Sequence, residues 1–205
     1  MFCAFFGSIR VERMETMSSI QWRVHVSEPP CILRYCKRCG AARPFVSSGM
    51  FRINAQHHNL DVWLIYKCDA CDSTWKMEIH NRVHPKSLDP ELYEGYLRND
   101  ETLATRCAFD RRLLDRCGAE VGWNQLSFAV EGPDIDLASL TLPIAVDICS
   151  DHALRIRASK ILRRKLDVSG ARFEALLASG RIHAEGNNLR KATLETGLRI
   201  FIETP

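Results

Sequence analysis

The sequence predicts an α+β protein: an N-terminal β domain built on four cysteines, a central helical segment, and a small basic α/β segment at the C-terminal end. Three observations carry this. Cys36-x-x-Cys39 and Cys68-x-x-Cys71 frame stretches in which apolar and polar residues alternate, as in half-buried strands. Between 85 and 118 the apolar residues recur instead at helical spacing. From 153 onward short helix and strand patterns interleave, and this last stretch carries a net charge of +6.

Composition sets the frame. The 205 residues are 46% hydrophobic and 26% charged, as in an ordinary globular chain of one large or two small domains. Wholesale disorder and a collagen-like chain are excluded. No apolar run approaches the ~18 residues of a membrane span, so no membrane partner is expected. Phe2–Phe6 is too short for a secretory signal and has no basic leader. Residues 1–16 are therefore read as a disordered tail or a mis-assigned start, and the protein as cytoplasmic. In that reducing setting nine cysteines do not imply a disulfide framework. The net charge of +3 conceals segregation, with +4 over residues 1–84, −7 over 85–152 and +6 over 153–205. The expected domains are 17–85, 86–150 and 151–205.

The first strand-like pattern begins at Ile20. Met50–Ala55 then reads as a strand, His57-His58-Asn59 as a turn, and Asp61–Lys67 as a strand running directly into Cys68. Thr74–Val83 leaves the second cysteine pair as a third strand, with Trp75, Met77 and Ile79 on one face. In a C-x-x-C turn, two thiolates can bind one ion. The residue after the second cysteine often turns left-handed, where glycine is free and aspartate tolerated. Gly40 and Asp72 occupy those positions. Cys36, Cys39, Cys68 and Cys71 together suit a tetrahedral structural Zn²⁺, and two such turns joined by a hairpin make a zinc-ribbon-like domain. An iron–sulfur centre, a redox dithiol pair or four unrelated core cysteines are the alternatives. A site saturated by four cysteines offers no open position for catalysis by the metal. Cys31, Cys107, Cys117 and Cys149 read as free thiols, and His80 and His84 do not share a helical face.

Farther along, Pro85–Asp100 and Glu101–Gly118 read as two helices, and Trp123–Val130 and Leu142–Ile148 as strands. No nucleophile–base pair, glycine-rich phosphate loop or paired-carboxylate motif occurs there, so enzyme activity is not the expectation. Arg157–Val168 reads as a basic amphipathic helix. Arg157, Lys160 and Arg164 share one face, with Arg163 and Arg172 beside it. Ile161, Leu166, Phe173 and Leu177 are expected on the buried side. Ser169 can cap a second helix, Gly170–Ser179. Arg181–Gly186 follows as a strand and turn, and Leu198–Glu203 as a closing strand.

That order resembles the small RNA-binding domain of the fourth protein of the small ribosomal subunit. Arg157 matches its first arginine, and Ser169 and Arg172 the opening of its second helix. Gly180, Ile182, Ala184 and Gly186 match its glycine-flanked strand, Lys191 its lysine, and Gly197, Ile200 and Ile202 its last element. Ser159, Glu185 and Leu198 depart from its pattern. The resemblance implies an RNA-binding-like domain, and with the basic helix face the expected RNA contacts are Arg157, Lys160, Arg163, Arg164, Arg172 and Lys191.

From Trp22 onward the chain is also similar to a bacterial family, domain of unknown function 1062. The similarity rests on Cys36-x-x-Cys39, Ser48–Ala55, Leu60–Cys68, Thr74-Trp75 and Arg82-x-x-Pro85. That family has no established activity. Taken together, these readings point to a non-catalytic zinc-containing protein that binds structured ribosomal or transfer RNA. A zinc-ribbon adaptor for a protein partner is the alternative, and an RNA-modifying enzyme a third.

Overall fold

The computed structural model describes residues 17–204 apart from 57 and 196. The expected tail 1–16 and His57 of the expected turn lie outside the described residues. The class is α+β, with mixed sheets and five α-helices among the described residues. The chain divides into two compact units. One is continuous, Val26–Ser127, and the other combines the flanks, up to His25 and from Phe128 onward. The first strand, β1 (Ser19–Val26), lies almost wholly in the flanking unit.

In the continuous unit the sheet order is β5-β4-β3-β2-β6, every neighbour antiparallel. The strands are β2 (Ile32–Cys36), β3 (Ala41–Gln56), β4 (Asn59–Cys68), β5 (Thr74–Val83) and β6 (Glu120–Val121). Alternation sets its faces. In β4, Leu60, Val62, Leu64, Tyr66 and Cys68 are buried, while Asp61, Trp63, Ile65 and Lys67 point the other way. The buried face packs with α1 (Pro90–Leu97), α2 (Glu101–Phe109) and α3 (Arg111–Arg116). Phe51, Leu64, Met77, Tyr96, Leu103, Cys107 and Leu114 share one core. The β3–β4 register shifts between Ser47 and Phe51. There Asn99, between α1 and α2, accepts the Phe51 N–H at 2.6 Å, tying the helices to the irregular strand.

In the flanking unit the order is β10-β12-β8-β1-β7. Its other strands are β7 (Phe128–Glu131), β8 (Ile144–Ser150), β10 (Ile182–His183) and β12 (Leu198–Ile202). β1 and β8 are parallel, with Trp22 opposite Ile148. A separate two-stranded ribbon pairs β9 (Ile156–Arg157) with β11 (Thr193–Leu194). Helices α4 (Ala158–Lys165) and α5 (Gly170–Ala178) contribute the buried Ile161, Leu162, Phe173 and Leu176. Directly after β7, Gly132 has φ +127, and a Cβ there would lie 2.4 Å from the Gln21 carbonyl oxygen. Only glycine fits that approach.

Several expectations are corrected. β1, grouped with the cysteine domain from the sequence, hydrogen-bonds to β8 instead, so the boundaries at 17, 85 and 150 are not those of the compact units. Residues 85–100 hold a 3-10 turn, Pro85–Ser87, and then α1, because Asp89 accepts the Glu91 and Leu92 N–H groups and starts a new helix. Residues 101–118 hold two helices, because Asp110 ends α2 and caps α3 through the Arg112 and Leu113 N–H groups. Residues 123–130 begin as a 3-10 turn, Trp123–Gln125, and are extended only from Phe128. The basic helix is shorter than 157–168. Arg157 precedes it as its cap, and Leu177 is half-buried rather than buried.

Candidate metal centre

The two C-x-x-C turns lie at corresponding ends of strands. Cys36 ends β2 and Cys68 ends β4, and each strand continues into a tight turn. Gly40 donates its N–H to the Cys36 carbonyl at 2.9 Å, and Asp72 to the Cys68 carbonyl at 3.1 Å. Both turns close through a left-handed residue, Gly40 at φ +66 and Asp72 at φ +58, as the spacing implied. The turns are joined because Phe45 pairs with Cys68 across β3 and β4, and because the Asp69 N–H reaches the Pro44 carbonyl.

This brings together all four cysteines named from the sequence. The sulfurs of Cys36, Cys39, Cys68 and Cys71 lie within 4.8 Å of one another. Across the turns, Cys36 and Cys71 approach to 3.4 Å and Cys39 and Cys68 to 3.9 Å. A tetrahedron with metal–sulfur bonds of ~2.3 Å has sulfurs ~3.8 Å apart. The cluster therefore fits a four-thiolate metal site, with Cys36 and Cys68 buried and Cys39 and Cys71 half-buried.

Electrostatics agrees with that fit. The Cys71 thiol is lowered to about 6, chiefly by the Ser73 hydroxyl and then by the Ser73 backbone N–H. The Cys39 N–H lowers Cys36. Cys39 is pushed up to about 12, first by its interaction with Cys71 and then by burial, and burial raises Cys68. Without a cation, four thiolates this close cannot all ionise, because each disfavours the next. A bound cation would remove that conflict. Ser73 and Arg38, which donates to the Cys71 carbonyl at 3.1 Å, are supporting residues that the cysteine spacing does not reveal.

Cys31 stands outside the cluster. Its thiol donates to the Gln125 side chain at 3.2 Å, and burial raises it above the usual thiol range. His80 bonds to the Tyr96 hydroxyl, and the His84 ring accepts the Lys86 N–H, so the two do not converge. Cys107 is buried, and burial pushes it up to about 11. Among the described residues no other group of three or more such side chains gathers for a metal.

The basic residues of the flanking unit are placed separately. Arg157, Lys160, Arg163, Arg164, Arg172 and Lys191 are all exposed. Lys160 and Arg164, one turn apart on α4, both lie over the Phe128 ring, at 5.3 and 5.1 Å from its centre. Other cations of this unit are matched by carboxylates: Lys165 with Asp134, Arg199 with Asp147, Arg23 with Asp151 and Arg190 with Glu174. Arg157, Arg163, Arg164, Arg172 and Lys191 have no such match among the described residues.

No helix among the described residues is long and apolar enough to cross a membrane. Among known proteins, the family model described as "Protein of unknown function (DUF1062)" matches residues 53–188, about two thirds of the chain. The chain belongs to that family. No curated protein and no solved structure matches it.

Proposed function

We propose that this DUF1062 protein is a non-catalytic RNA-binding protein in which a structural Zn²⁺ at Cys36, Cys39, Cys68 and Cys71 rigidifies the continuous unit. Zinc is preferred because it is indifferent to d-electron geometry and commonly takes four thiolates in structural sites. The RNA reading rests on one observation above the others. The carboxylates of the flanking unit take up Lys165, Arg190 and Arg199 but leave Arg157, Arg163, Arg164 and Arg172 exposed around α4 and the start of α5. Such a surface suits the phosphates of a structured RNA, read by shape more than by base edges. Zn²⁺ saturated by four cysteines has no position for an activated water, in keeping with a binding role.

A protein-interaction reading has its own support in Tyr35 on β2, 67% exposed beside the first cysteine turn. Binding of transfer RNA to wild type and to a Lys160→Ala/Arg164→Ala variant, at two salt concentrations, separates the two. Affinity should fall steeply with salt, and the variant should bind more weakly with a slope lower by about one unit per lost contact. RNA binding absent from the wild type would leave the adaptor reading. For the metal, one zinc per chain is expected by elemental analysis, with Cys36→Ser or Cys71→Ser protein metal-free and protease-sensitive. Visible absorbance from an iron–sulfur cluster would overturn zinc.

A further inference from the structure

Arg34 and Arg43 are directly opposite each other in the β2–β3 pair. Strand alternation sends both to the face that carries Cys36, two residues along β2 from Arg34. Like charges so placed destabilise a sheet. A carboxylate could relieve them, but among the described residues none pairs with either arginine. Asp69 and Asp72, the acids of the second cysteine turn, pair with neither. Instead, the Arg34 guanidinium lies over the ring of Trp75 on β5, 4.4 Å from its centre. Trp75 is in turn held against buried Tyr66 at 5.4 Å. Arg43 is exposed, and so are Lys37 and Arg38 in the adjoining turn.

A guanidinium held over an aromatic face is anchored there and keeps N–H groups for an acceptor. That fork, with the Arg43 guanidinium carried on the opposite residue, suits phosphate oxygens, since each arginine can bind in a bidentate way. We propose that Arg34 and Arg43, with Lys37 beside them, form a phosphodiester-binding site for an RNA strand, a contact surface on the metal-bearing unit distinct from α4. The choice of ligand rests on the RNA reading given above, whereas the site rests on the β2–β3 register and the Trp75 stack. The other role open to the pair is to offset the charge of the metal centre, since four thiolates around a divalent ion leave a net charge of −2.

The test uses the full metal-loaded chain and transfer RNA as the probe. Arg43→Gln removes an exposed side chain with no charged partner among the described residues, so folding should survive. It should weaken binding several-fold and lower the salt slope by about one unit, and Arg34→Gln/Arg43→Gln should lower it by about two. Without RNA, Arg43→Gln should melt at or above the wild-type temperature, because a like-charge pair has been relieved, and should hold zinc equally well against a chelator. If Arg43→Gln binds RNA as wild type does while Lys160→Ala/Arg164→Ala is weakened, this site is overturned and the RNA reading stands. Wild-type protein that binds no RNA at low salt overturns both. Easier loss of zinc from Arg43→Gln would assign the pair to the metal instead. Displacement of RNA by polyglutamate at equal charge concentration would overturn the preference for phosphodiesters.

Discussion

Tyr66 buries its hydroxyl without a hydrogen-bond partner among the described residues. The side chain is fully buried, and burial drives the phenol well above its usual range. A polar group in that position has lost water and gained nothing in exchange. Tyr66→Phe should therefore keep or raise stability, by up to about 1 kcal/mol, in a denaturant titration. A clear loss would reveal a partner for that oxygen. His80 behaves differently. Burial, and then the Arg116 charge, hold its pKa below 6.5. Below about pH 6.5 the unfolded chain takes up this proton and the folded chain does not. Stability is thus fully present above that pH and declines as the pH falls. His80→Gln should flatten the decline between pH 7.5 and 5.5, as read from denaturation midpoints. At this scale the sequence was informative where chemistry dictates spacing. Cys36, Cys39, Cys68 and Cys71 announce themselves, and so do the left-handed Gly40 and Asp72. Arg38, Ser73 and the Arg34–Trp75 stack were not legible, because they depend on which strands become neighbours.

At the scale of elements, strands with clean alternation and the helix capped by Ser169 were legible, whereas the breaks at Asp89 and Asp110 were not. β4 and β5 match their expected ranges closely because each shows one apolar face. The first half of β3 is hidden by Arg43, Pro44 and the Ser47-Ser48-Gly49 irregularity, although it forms nine residues' worth of strand before Met50. The long helical pattern of 101–118 conceals a break because Leu103, Cys107, Leu113 and Leu114 keep helical spacing across it. Asp110 serves two helices at once, ending α2 and capping α3. Asp110→Ala should therefore cost about 1 kcal/mol, the usual value of an N-cap, seen as a lower melting temperature with the metal retained. An unchanged melting temperature would mean that packing alone holds the break. On the exposed edge of the sheet, Arg116 of α3 donates to the Glu78 and Ile79 carbonyls of β5. Beyond them β5 shifts register, and Arg82 turns left-handed. Together these blunt an edge that could otherwise pair with another chain.

On the scale of the whole molecule, one unit is inserted into the other. Val26–Ser127 is continuous and contains the cysteine site, its sheet and its three helices. A fragment of those residues should fold alone with zinc, giving a cooperative melt that a chelator abolishes. A fragment that stays unfolded with zinc present would show that it depends on the flanks. This insertion was illegible in the sequence because no local pattern tells β1 that its partner is β8, more than a hundred residues away. The charge pattern changes meaning for the same reason. The acidic stretch 85–152 is divided between the units, and Asp134, Asp147 and Asp151 neutralise cations within the flanking one.

The parallel pairing of β1 with β8 also sets an order in time. A ribosome makes β1 first and reaches β8 about 120 residues later, which at ~5–20 residues per second is a delay of roughly 6–24 s. Until its other neighbour, β7, follows about a hundred residues after it, Trp22 and Val24, buried in the finished protein, have no strand to join. The inserted unit emerges meanwhile, and with zinc at its cysteines as proposed it would complete itself only when the metal is at hand. On that reading, zinc supply during synthesis would bear on the folding of the flanking unit as well. A chain made in zinc starvation reaches β8 with an unfolded loop between the two strands that must meet, and it should accumulate as aggregate even when zinc is restored afterwards.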